Sequence, residues 1–173
     1  IKAKMEQAKE SGCFAVAMDV DAAGLPFLKN MTPPAGSKSV AELKEIVALA
    51  GKPFIVKGIM TVKGALKAKE AGAAAIVVSN HGGRVLDQCP ATAEVLPEIA
   101  EALKGSGVKV LVDGGIRSGV DVSRHWHWVP TRCSSPVRSS RRSMAAAKRA
   151  SSATLIRSQA SLPTPCRCAE HTA

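Results

Sequence analysis

At 173 residues the chain is long enough for one domain with a real core, but its formal charge of +10 is unevenly spread. Residues 1–122 hold 15 Lys/Arg against 13 Asp/Glu, a net of +2; residues 123–173 hold the other 9 with only Glu170, a net of +8. No apolar run reaches the roughly 18 residues of a helical membrane span, which excludes that class, whereas the basic excess raises nucleic acid or an anionic surface as a partner.

Cys13 and Cys89 have no paired spacing, and one Cys-x-Cys at Cys166 and Cys168 is a weak metal or redox motif. Free thiols in a reducing cytoplasm are expected, and no metal site. The opening residues are Lys-rich and helical in pattern rather than signal-peptide-like, and Ile1 in place of Met suggests a start further upstream.

Lys2 to Glu10 is charged and free of Gly and Pro, so it predicts an exposed helix stopped near Gly12. Phe14 to Met18 predicts a strand that delivers Asp19, Asp21 and Gly24 into a long loop marked by Pro26, Pro33, Pro34 and Gly36. Ser39-Val40-Ala41-Glu42 is a capping box; the helix behind it places Val40, Leu43, Val47 and Ala50 on one face and stops at Gly51. Pro53 to Val56 predicts the next strand, with Lys57 and Gly58 at its end.

Thr61 can cap a second helix, Val62 to Ala71, closed by Gly72. Ala74 to Val78 is a short apolar run suited to a strand buried on both faces, and it runs into Ser79-Asn80-His81-Gly82-Gly83-Arg84-Val85-Leu86-Asp87. A helix opened by Pro90 runs to about Leu103, burying Val95, Leu96, Ile99 and Leu103, with Pro97 tolerable only inside its first turn. Val108 to Val112 predicts a further strand, ending in Asp113-Gly114-Gly115-Ile116-Arg117, where glycines let backbone amides approach a phosphate. Strands alternating with helices predict an α/β fold with a parallel sheet.

Every predicted strand ends in residues of the kind a site uses: Asp21; Lys57; Ser79 with His81 and Arg84; Asp113 with Arg117. In parallel folds the carboxyl ends of strands form the active face. His81 is the natural proton acceptor near neutrality, and Arg84 offers a planar fork for a carboxylate. Local sequence leaves blander readings open: Asp19 and Asp21 as loop-solvating residues, Lys57 as a snorkelling rim residue, His81 as a loop histidine bonded to backbone, and Arg84 paired with Asp87.

Ser79-Asn80-His81-Gly82-Gly83-Arg84, with Val56-Lys57-Gly58-Ile59 before it and Asp113-Gly114-Gly115-Ile116-Arg117 after it, resembles the FMN-dependent α-hydroxy acid dehydrogenase/oxidase family over about residues 1–122. The resemblance implies a partial (β/α)8 TIM barrel carrying strands four to seven, FMN as cofactor, and oxidation of a small L-2-hydroxy acid such as lactate or glycolate to the 2-oxo acid. By matching position His81 is the catalytic base and contacts substrate, Asp21 is its carboxylate partner, and Arg84 clamps the substrate carboxylate. Lys57 and Ser79 lie against the flavin ring, Asp113 binds the ribityl chain, and Gly114, Gly115 and Arg117 lie near the phosphate. The electron acceptor, whether oxygen, a quinone or a cytochrome, stays open, and a homo-oligomer is implied for an intact member. Asp19 departs from the threonine of better-known members, and no second substrate-binding arginine is evident in Ala22 to Lys29.

From Ser123 onward the sequence has no helical or strand period. Read one base out of register, the codons of Ser123 to Arg138 and Met144 to Ala150 permit a helix, a strand, an Arg-Pro and a glycine run, and the unique codons of Trp126, Trp128 and Met144 comply. Residues 123–173 are therefore expected to be an irregular, out-of-frame tail, and the chain alone to show no turnover. The alternative is a non-catalytic chain whose basic, disordered tail binds nucleic acid or a partner protein.

Overall fold

The computed structural model describes residues 1–22, 25, 28, 37–116 and 121 and the backbone of Arg132–Cys133. The chain divides into two compact units, Ile1–Ser135 and Pro136–Ala173, and every described residue lies in the first. Its elements are α1 (Lys2–Glu10), β1 (Val16–Asp19), α2 (Val40–Ala50), β2 (Phe54–Ile59), α3 (Val62–Glu70), β3 (Ala75–Val78), a 3-10 turn (His81–Gly83), α4 (Thr92–Ala102), β4 (Lys109–Val112) and β5 (Arg132–Cys133). The strands form one sheet in the order β1-β2-β3-β4-β5, and each neighbouring pair is parallel. This is a parallel α/β sheet, open rather than closed.

Alternation along the strands sends one set of side chains under the helices. Phe54, Val56, Ile76, Val78 and Val112 are buried there with Leu43, Ile46, Ala65, Ala68, Leu96 and Ile99 from the helices. All four residues of β3 are buried, as expected of a strand covered on both faces. The opposite face carries Asp19, Lys57, Val77 and Leu111 at one register level.

The caps follow the sequence. Ser39 Oγ accepts from the Glu42 amide, and the Glu42 carboxylate accepts from the Ser39 amide at 2.8 Å, completing the capping box of α2. Gly51 ends that helix in the left-handed conformation at φ 60°. Thr61 Oγ1 accepts from the Gly64 amide to start α3.

Four expectations change. Strand β1 begins at Val16, leaving Phe14 exposed, and includes Asp19, because Val16 to Asp19 find β2 as a partner and Phe14 does not. Strand β2 continues through Lys57 and Gly58 to Ile59. Helix α4 begins at Thr92, so Pro97 lies past its first turn; it sits on the exposed side, where the carbonyl it leaves without an amide can meet water. In the stretch expected to be irregular, Arg132 and Cys133 pair in parallel with Leu111 and Val112. A strand edge supplies backbone donors and acceptors whatever the partner's side chains, so two residues can pair without a strand period.

The Glu42 carboxyl is held below its ordinary range by the Ser39 amide first, then by the Ser39 hydroxyl. A depressed folded-state value means that this contribution is present at neutral pH and lost as pH falls through that value. Ser39→Ala removes the hydroxyl from the cap and is expected to destabilise the fold by ~1 kcal/mol at neutral pH, with a smaller deficit in acid; urea denaturation at both pH values checks it.

Candidate functional site at the strand ends

Three strand ends bring four side chains together. Asp19 closes β1 and stands level with Lys57 of β2, and its Oδ1 lies 2.6 Å from Lys57 Nζ. Two residues on, the Asp21 carboxylate meets His81 Nδ1 at 3.4 Å, and Asp19 Oδ1 lies 3.8 Å from the same nitrogen. The His81 and Asp21 side chains are each 15% exposed. With both carboxylates on the Nδ1 side, the proton belongs on Nδ1 and the Nε2 lone pair is left to act as a base.

Backbone irregularities create this approach. Between β2 and β3 the register slips: Lys57 pairs with Val77 and Ile59 with Val78, so Gly58 is the extra residue of a bulge, at φ 94°. The Asp21 carboxyl packs on the Gly58 α-carbon, and a Cβ there would lie 2.5 Å from Asp21 Oδ1. His81 itself sits in the left-handed region at φ 57°, a conformation that costs a non-glycine residue about 1 kcal/mol. Its turn is held by Asn80, whose side chain accepts from the Gly82 amide at 3.1 Å and donates to the Pro90 carbonyl at 3.3 Å. Ser79, 1% exposed, accepts the His81 amide at 3.3 Å and keeps its own proton to donate.

Arg84 is exposed and donates from Nε to the His81 carbonyl at 3.0 Å; among the described residues it makes no ion pair with Asp87. Its terminal nitrogens stay available as a fork beside the histidine. At the end of β4, Asp113 is buried, and its carbonyl accepts from Thr92 Oγ1 at 2.8 Å. Gly114 and Gly115 follow at φ 93° and 74°, with open space where a Cβ on Gly115 would stand. Arg117 and Gly24 lie outside the described residues.

Asp19, Asp21 and His81 offer three donor atoms within 4.8 Å of one another, a set that could hold a divalent cation. The Asp19 oxygen nearest the ring is already held by Lys57, so an ammonium meets the charge and no metal is assigned. For a flavin phosphate ester the residues fit better: a half-buried ammonium, a buried hydroxyl and a glycine turn whose amides can be approached closely.

The FMN-dependent dehydrogenase profile matches residues 27–127. The chain belongs to that family. The family match begins after Asp21 and ends five residues past Val122. Within the family, the chain is 51% identical over 85 residues to a peroxisomal (S)-2-hydroxyacid oxidase of Arabidopsis thaliana, covering 49% of this chain and 22% of that protein. It is 46% identical over 93 residues to an L-lactate oxidase of Lactobacillus jensenii, covering 54% and 22%. The crystal structure of a mandelate oxidase superimposes with a TM-score of 0.68 at 31% identity, covering 78% of this chain and 46% of that one. The match thus spans about a fifth of the curated relatives and under half of the solved one.

Sequence reasoning placed Asp21, His81 and Arg84 just past strand ends, where they stand, but Lys57 at the end of a strand that runs two residues further, to Ile59. It missed three positioning elements: the bulge at Gly58, the Asn80 brace, and Thr92, whose hydroxyl holds the Asp113 turn. Only Gly58 left a signal, a glycine inside an apolar strand. Gly58→Ala is expected to cost about 2 kcal/mol or more and to push Asp21 off His81, because it adds both positive-φ strain and a collision. Thr92→Val is expected to cost ~1–3 kcal/mol by leaving a buried carbonyl without its donor. Urea denaturation of the two variants checks both values.

Proposed function

We propose that this chain carries the proton-transfer and carboxylate-binding half of an FMN-dependent oxidase or dehydrogenase that converts an L-2-hydroxy acid, lactate- or glycolate-like, to the 2-oxo acid. The observation that carries the reading is His81: its Nδ1 is faced by two carboxylates, its Nε2 is left as the base, and Arg84 stands on the same turn. The family and the oxidase activities of the similar proteins support the same chemistry. In this reading residues 1–122 are part of a (β/α)8 barrel, strands four to seven, and residues 123–173 are an out-of-frame tail.

FMN, when bound, supplies a two-electron acceptor. Lys57 and Ser79 would hold its ring, Asp113 its ribityl chain, and Gly114, Gly115 and Arg117 its phosphate end. Arg84 pairs with the substrate carboxylate through its terminal nitrogens and fixes the 2-hydroxyl carbon over the site. Oxidation to the 2-oxo acid releases two protons and two electrons: His81 Nε2 would take one proton, and a bound flavin would supply the acceptor for the electron pair and the other proton. Asp21 holds Nδ1–H, keeping the ring oriented and stabilising the imidazolium that forms. The acceptor that reoxidises the cofactor is oxygen, a quinone or a cytochrome; the setting proposed is the cytoplasm, and the assembly proposed for the intact member is a homo-oligomer. No described helix is long and apolar enough to cross a membrane.

Binding and turnover separate in this chain, and none of the second is expected from it alone. L-lactate is expected to shift the His81 ring resonances saturably, and Arg84→Met to weaken that binding by about 10-fold or more, the loss of a charge-assisted pair. NMR titration checks it. Absence of any lactate response, together with RNA binding that falls steeply with salt, would replace the reading with that of a nucleic-acid-binding chain.

A further inference from the structure

One oxygen in the cluster faces two partners. Asp19 Oδ1 lies 2.6 Å from Lys57 Nζ and 3.8 Å from His81 Nδ1, while Asp21 approaches that nitrogen from its own side at 3.4 Å. The first contact is set by the sheet: neighbouring parallel strands place residues of one register level on one face. Lys57 is 23% exposed, Asp19 40% and His81 15%, so solvent screens these charges only in part. The charged groups around His81 are Asp19 at the end of β1, Asp21 in the loop behind it, Lys57 on β2, and Arg84 on its own turn, which reaches the His81 carbonyl.

A carboxylate beside an imidazole favours its protonated form, and a cation on that carboxylate offsets the effect. Asp21 has no cation within ion-pair distance other than His81 among the described residues, so no second partner offsets its charge. Asp19 acts on it only to the extent that Lys57 leaves it free. We propose that Asp19 is a positioning residue that couples Lys57 to His81, so that an anion drawing Lys57 away strengthens His81 as a base. The inference rests on the reading of the site given above, in which Lys57 would lie against the flavin ring, where negative charge would gather as the ring takes up electrons. The coupling itself is a property of the chain without any cofactor.

The test is therefore made on the FMN-free 173-residue chain. His81 ring signals are followed by NMR against pH, and His81→Gln identifies them among the four histidines. Asp19→Asn is expected to lower the His81 midpoint by about half a pH unit or more, and Lys57→Met to raise it by a similar amount. The rise must vanish when Lys57→Met is combined with Asp19→Asn. If Asp19→Asn leaves the midpoint where it was while Asp21→Asn lowers it, the coupling is wrong and the proposed function stands. If neither substitution moves it, both fall together. Should Asp19→Asn unfold the chain, Lys57→Met alone decides, since an unchanged midpoint in that variant overturns the proposal.

Discussion

The site depends on one close approach, that of the Asp21 carboxyl to the α-carbon of Gly58. A side chain at position 58 would occupy the volume the carboxylate uses, and an ordinary backbone there would keep β2 in step with β3. Glycine at this position leaves out the Cβ, and the bulge lets Ile59 pair with Val78 after Lys57 has paired with Val77. Asp21 then reaches across β2 to a histidine on the turn after β3, 60 residues away in sequence.

The polar groups of this face are held mostly by one another and by backbone. Ser79 and Asn80 fix the turn that carries His81, Arg84 braces the same turn through the His81 carbonyl, and Thr92 fixes the Asp113 turn. The first three bonds lie within the turn that follows β3, and the Thr92 bond ties the end of β4 to the start of α4, the helix before it, so burial of the helical face of the sheet also orients the site. The buried β3 is the centre of this arrangement, because both the core residues Ile76 and Val78 and the site residues Ser79 and His81 leave from it.

Much of this was legible in the sequence. Apolar runs of four to six residues between glycines marked the strands, the Ser39–Glu42 spacing marked the start of α2, and the spaced set of Lys57-Gly58, His81-Gly82-Gly83-Arg84 and Asp113-Gly114-Gly115 carried the family. What was not legible has physical causes. The pairing of Asp19 with Lys57 depends on strand register, which no local pattern encodes for a strand of four residues. The place of Pro97 in α4 depends on where the helix starts, and Ala91 offers no side-chain cap to announce it. The pairing of Arg132 and Cys133 is backbone chemistry at an open edge and leaves no mark in side-chain periodicity.

These strand ends are proposed as the cofactor face of an FMN-dependent enzyme. Titration of the 173-residue chain with FMN, read by quenching of flavin fluorescence, tests this assignment most directly. Saturable quenching is expected, and Lys57→Met is expected to weaken it by about 10-fold or more, the worth of a charge-assisted contact. Quenching that never saturates, or that is identical in wild type and Lys57→Met, would contradict it.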